Sequence, residues 1–154
     1  MREKTNKKIT INSRQTKRVG SSLAKEILKF KNHKGAVVLA LKGELGAGKT
    51  TFLQGFAKGL GVKEKVLSPT FIIIKKFKLK KANFKHFFHI DCYRIEKPEE
   101  LLEIGFKEII ANPKHIVSVE WADKIKNVLA KQPNNVIWLN FKIIGKNKRE
   151  IKRI

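Results

Sequence analysis

The sequence predicts an α/β fold, a mixed central sheet with a parallel core and antiparallel hairpins, sandwiched between helices. Three observations carry that expectation. The apolar run AVVLAL at 36–41 breaks into a glycine-rich loop that opens a helical segment, as in a strand–loop–helix unit. Helices and buried strands interleave early in the chain, and alternating segments pair as hairpins in its middle and at its end. At 154 residues the chain can bury one substantial core, so 1–154 is expected to be a single domain.

In chain order, KITI (8–11) alternates like a short strand, and Asn12 or Ser13 is placed to cap a helix over 15–30. On that helix Val19, Leu23, Ile27 and Phe30 fall three or four residues apart. AVVLAL reads as a buried central strand, followed after the loop by a helix over Lys49–Leu60 that Gly61 stops. FIIIKKFKL (71–79) and FKHFFHIDCYR (84–94) flank the polar turn KKAN and predict an antiparallel hairpin. Its first strand sets Phe77 and Leu79 on one face, opposite Lys76, Lys78 and Lys80. Pro98 suits a first helical turn, and EELLEIGFKEII continues as one or two short helices up to Asn112 and Pro113. HIVSVEW (115–121) is a strand ending in an acid, ADKIKNVLA a helix, and NNVIWLNFKII with KREIKRI a closing hairpin turned by GKN. No internal repeat, low-complexity segment or linker interrupts this order.

The composition, 42% hydrophobic and 31% charged, is that of a soluble globular chain. AVVLAL is far too short to span a bilayer, and MREKTNKKITIN has charge but no apolar segment behind it. The expected location is the cytoplasm. A single cysteine, Cys92, allows no internal disulfide, and no second Cys or clustered His completes a zinc pattern. The net charge of +22 would attract phosphate backbones, yet 29 of the 35 basic residues are lysines, as an A/T-rich coding genome also produces. Basicity thus permits RNA proximity without identifying a surface for it.

Gly43-Glu44-Leu45-Gly46-Ala47-Gly48-Lys49-Thr50 satisfies G-x-x-x-x-G-K-[ST] and lies between a predicted strand and a predicted helix. The glycines let the backbone curl so that successive N–H groups point inward, and the helix adds its positive end. Lys49 would bridge the outer phosphates, Thr50 would place its hydroxyl on Mg²⁺, and Thr51 offers a second hydroxyl toward an inner phosphate. Such a loop needs an acid at the end of a neighbouring strand, and FFHID and IVSVE supply two, Asp91 and Glu120. Ser68-Pro69-Thr70-Phe71 is a stiff lead-in to the hairpin, which alone reads as a turn.

GELGAGKTTF, SPTF, HIDCYR and VEW, in this order, resemble the bacterial TsaE family, the P-loop ATPase of tRNA threonylcarbamoyladenosine biosynthesis. The resemblance covers nearly the whole chain and implies a P-loop NTPase-like three-layer sandwich. One departure is Glu44, where the family often has Asp. It further implies ATP or ADP on Gly43–Thr51, Mg²⁺ near Thr50 and Glu120, and a need for Asp91 in hydrolysis as base, water-orienter or outer-shell metal partner. Ser68, Pro69, Thr70 and Phe71 would form a switch-like segment near the terminal phosphate. Tyr93, Arg94 and Trp121 would shape the active site or a partner face. His33, His86, His89 and His115 show no ligand spacing and read as structural or exposed, although His89 belongs to HIDCYR. Trp138 reads as a packing residue.

The implied partners are a threonylcarbamoyl-transferase subunit and its paralogue (TsaD/TsaB-like), with tRNA reached indirectly and no membrane. Docking there would stimulate a slow hydrolase and use hydrolysis to reset the assembly. A small P-loop kinase is the rival reading, but between the P-loop and residue 148 only Arg94 is available to cover phosphates. A nucleotide-dependent RNA-binding module is favoured by charge and disfavoured by the two strand-end acids.

Overall fold

The fold was determined as a computed structural model, which describes residues 6–31, 33–67, 74–131 and 135–154. Its strands are β1 (Lys7–Thr10), β2 (Val37–Gly43), β3 (Ile74–Lys78), β4 (His86–Asp91), β5 (His115–Glu120), β6 (Val136–Gly145) and β7 (Lys148–Arg153). The helices are α1 (Ser13–Ile27), α2 (Lys49–Gly59), α3 (Glu99–Glu103), α4 (Phe106–Ala111) and α5 (Lys126–Ala130). One seven-stranded sheet runs in the order β1-β7-β6-β2-β5-β4-β3. β6, β2, β5 and β4 are mutually parallel, and antiparallel neighbours finish both ends. The expected mixed sheet with a parallel core is present.

β2 lies at the centre and is apolar on both faces, as a strand covered by helices on both sides must be. Val37, Leu39 and Leu41 pack with α1 and α2, whereas Val38 and Ala40 pack with α3, α4 and α5. This period of two makes three layers from one unbroken hydrophobic run.

Asn12 caps α1 by accepting from the Gln15 N–H at 2.9 Å, while the Gln15 side chain accepts from the Ile11 N–H. The helix ends at Ile27, three residues before the predicted end, because the chain tightens into i→i+3 bonds that still bring Phe30 onto the core. α2 ends as predicted around Gly61, whose φ of 89° lets its N–H bond Lys58 O while Val62 N–H bonds Ala57 O. α1 and α2 approach so closely that a Cβ on Gly55 would lie 2.0 Å from Lys17 O, and one on Gly20 2.1 Å from Phe52 O.

The hairpin of β3 and β4 forms, with Phe77 opposite Phe87 and Lys76 and Lys78 exposed on the other face. Residues 71–73 of its predicted first strand, and the whole SPTF segment Ser68–Phe71, lie outside the described residues. β4 stops at Asp91, not at 94, because the Asp91 carboxylate accepts the Tyr93 N–H at 2.9 Å and turns the chain. Gly105, at φ 85°, divides EELLEIGFKEII into α3 and α4. ADKIKNVLA, expected as one helix, is a 3-10 turn over Ala122–Ile125 followed by α5. The split falls at Ile125, whose φ of -120° and ψ of 26° leave the helical region, while Trp121 at φ 58° only turns the chain out of β5, its carbonyl accepting the Lys124 N–H. The closing hairpin turns at Lys146 and Asn147, the latter at φ 60°.

Candidate active site

Gly43–Gly48 joins β2 to α2 with three glycines at positive φ: Gly43 at 149°, Gly46 at 80° and Gly48 at 98°. These are values that a side chain would strain. Gly43 has a second reason, since a Cβ there would meet Phe141 O at 2.5 Å where β6 runs alongside. At Gly46 a Cβ would meet nothing within 4 Å, so there the positive φ alone calls for glycine. Gly48 occupies the N-cap of α2 without a side-chain capping bond. The first-turn N–H groups of Lys49, Thr50 and Thr51 precede any intrahelical acceptor and present the positive helix end to the loop. This is the geometry of an anion cradle.

Lys49 is only 5% exposed. Its ammonium donates to the carbonyls of Gly43 and, at 3.5 Å, Glu44, and lies 3.6 Å from the Trp121 ring centroid. Burial pushes its pKa below the usual lysine range, while the carboxylates of Glu120, Asp123, Asp91 and Glu44 pull it upward. A buried cation surrounded by acids and held on its own loop is suited to receive phosphate charge.

The parallel register sets Asp91 beside Glu120 and Glu120 beside Leu41, so both predicted acids end their strands level with the base of the loop. Glu120, 3% exposed, divides its two oxygens: Oε1 accepts from the Thr50 hydroxyl at 2.9 Å, and Oε2 lies 2.7 Å from His89 Nε2. His89 is 1% exposed. The structure therefore brings Lys49, Thr50, Glu120 and His89 together, and the structural reading of His89 is refined to a buried partner of the acid. Its sequence signal was its position two residues before Asp91 on β4, which points both side chains to one face.

Around this centre Tyr93 is exposed and its ring packs 5.2 Å from Trp121. Lys124 donates to Tyr93 O, and Arg94 lies exposed in the same turn. Two further residues join the site that motif spacing did not single out. Asp123 acts on Lys49 from the 3-10 turn, and Arg149 donates from β7 to Gly46 O at 3.1 Å, across a sequence separation of 103 residues. Beside the loop, a cavity of ≈ 390 Å³ is lined by Asn12, Thr16, Thr51, Asn147 and Arg149 among others.

The residues fit a nucleotide phosphate on the evidence of the glycine loop at the N-terminus of α2 and its buried lysine. For Mg²⁺ the oxygen donors of Thr50 and Glu120 fit its hard-ligand chemistry. Among the described residues no group of three or more His, Cys, Asp or Glu could hold a metal by itself. Mg²⁺ ordinarily binds with one or two carboxylates and completes its shell from phosphate and water.

The family described as "Threonylcarbamoyl adenosine biosynthesis protein TsaE" matches residues 10–151. The chain is 37% identical over 142 residues to the tRNA threonylcarbamoyladenosine biosynthesis protein TsaE of Bacillus subtilis, covering 92% of this chain and 80% of that one. It is 36% identical over 113 residues to the protein of the same name in Rickettsia prowazekii, with 73% of each chain covered. A crystal structure of Bacillus subtilis YdiB superposes with a TM-score of 0.72 at 31% identity, covering 99% of this chain and 86% of that one. Matched from the end of β1 to β7, with a P-loop NTPase-like fold in common, this chain belongs to the TsaE family.

Proposed function

We propose that this chain binds ATP and hydrolyses it in tRNA threonylcarbamoyladenosine biosynthesis, docked on a threonylcarbamoyl-transferase subunit and its paralogue. The observation that supports this best is the Thr50–Glu120 hydrogen bond of 2.9 Å beneath a glycine loop carrying a buried lysine. Family membership supports the pathway.

Gly43 to Thr51 would bind the phosphates through backbone N–H groups, and Lys49 would exchange its loop carbonyls for outer phosphate oxygens. The neighbouring cavity, with Asn12, Thr16 and Arg149 on its walls, is the space available to the nucleoside. Thr50 and Glu120 would hold Mg²⁺, which when bound supplies charge neutralisation on the outer phosphates. His89 fixes the carboxylate plane of Glu120. Asp91, level with Glu120, would act on the attacking water or in the outer metal shell, and the liberated phosphate passes to solvent. The switch-like role of Ser68, Pro69, Thr70 and Phe71 and the partner-face role of Tyr93, Arg94 and Trp121 complete the proposal. Slow turnover alone and stimulation on docking are expected, since an uncoupled hydrolase would consume ATP without advancing modification.

Nucleotide titration of the Lys49→Ala variant tests the site. Loss of charge-assisted bonds of about 1.5–3 kcal/mol predicts roughly 10- to 150-fold weaker ATP binding. Unchanged affinity would remove the loop from nucleotide binding.

A further inference from the structure

On the sheet face covered by α3 and α4, the β3 end forms two cross-strand rows. Lys78, His86 and His115 lie side by side in register, and Lys76, Phe88 and Val117 form the next row. Residues two apart on a strand share a face, so the rows stack directly. The His86 and His115 rings meet edge to face with centroids 5.5 Å apart, and Phe88 packs beneath His115 at 4.7 Å. Lys76 Nζ lies 5.7 Å from the Phe88 ring. His115 is further held by its Nδ1, 2.9 Å from Ile109 O on α4.

Both histidines are half-buried. Burial, first, and then Lys76, His115, Lys78 and Lys85 hold the His86 pKa below its ordinary value; burial and Lys76 lower that of His115. The result is two half-buried imidazoles, held toward the neutral form beside the ammonium groups of Lys76, Lys78 and Lys85, on the two strands next to β3.

That combination selects among ligands. A divalent cation would be repelled by the ammonium groups, and an acidic peptide would satisfy them but leave the flat rings without a matching surface. A nucleic-acid strand supplies both phosphates and bases, the pairing that sequence-tolerant single-strand binding uses. We propose that this corner binds single-stranded RNA, with Lys76 and Lys78 on phosphates and the His86 ring, braced edge to face by His115, as the stacking surface for one base.

The nucleotide site takes no part in this inference. Edge lysines also guard a sheet against pairing with another chain, and that role would leave the histidines irrelevant to RNA. Binding of a short fluorescent oligoadenylate to the full chain, followed by anisotropy across a salt series, separates the two. Lys76→Ala with Lys78→Ala should reduce the slope of log affinity against log salt by about 1.4. The equally charged control, Lys25→Ala with Lys29→Ala at exposed positions against the opposite face, should leave it nearly unchanged. His86→Ala should weaken binding about fivefold or more, and His86→Phe should restore it. Equal loss in both lysine pairs would overturn the proposal in favour of a diffuse field. A neutral His86→Ala, or polyglutamate competing as well as the RNA, would overturn it in favour of edge protection or an acidic protein partner.

Discussion

Glu120 is the residue on which the site turns, because each of its two oxygens has a separate partner. Thr50 fixes one from the first turn of α2 and His89 fixes the other from β4. His89→Ala would leave Glu120 Oε2 without that buried partner, which costs about 1–3 kcal/mol. Urea denaturation should show the midpoint falling with the slope unchanged; an unaltered midpoint would mean that the pair contributes nothing to stability. A second histidine gives a pH signature. His115 has its pKa lowered in the folded state, so between that value and the ordinary 6.5 the unfolded chain binds more protons. Stability should therefore rise with pH through this window and fall as pH drops below about 6.5. The His86 pKa is lowered in the same direction, so His115→Gln should reduce that dependence without abolishing it, and an identical profile in the variant would rule His115 out as a source. The strand-end acids and the loop were legible in the sequence because each is a local pattern: three glycines before a lysine, an apolar run before a carboxylate. Arg149 was not, since only the return of β7 beside the loop brings it to Gly46.

At the scale of elements, the α1–α2 pair shows what local patterns leave out. Val19, Leu23 and Ile27 announced an amphipathic helix, but the depth of its contact with α2 is set by Gly20, Gly55 and Gly59, which the periodicity passes over. In an isolated helix Gly→Ala would gain about 1 kcal/mol. At Gly55 the new methyl would stand 2.0 Å from Lys17 O, a backbone atom unable to swing aside, so the clash outweighs the gain. Gly55→Ala should destabilise by about 1–3 kcal/mol, and, because α2 begins at the P-loop, weaken nucleotide binding as well. A variant with a raised melting temperature would contradict this packing. The other differences have similar causes. Asp91 ends β4 early by capping a turn, and Ile125, at φ -120° and ψ 26°, breaks the predicted helix after β5 into two pieces.

For the whole molecule, the parallel core β6-β2-β5-β4 delivers the loop and both acids to one end of the sheet, where adjacent strands end in register. Alternation along β2 predicted the three layers, and interleaved helices predicted the parallel core; neither specifies the order of strands, which the long-range pairing of β2 with β5 and β6 decides. Among the described residues no helix is long and apolar enough to cross a membrane. The fold sets the glycine loop and both acids beside the exposed Tyr93 and Arg94, and on the proposed function a docking subunit would meet the acids there. The measurement for partner-coupled hydrolysis is phosphate release from Mg·ATP by the purified chain, alone and with the transferase subunit and its paralogue. Release should be slow alone and strongly stimulated by the pair, and Asp91→Ala should abolish it; brisk release indifferent to both subunits would contradict partner-coupled hydrolysis.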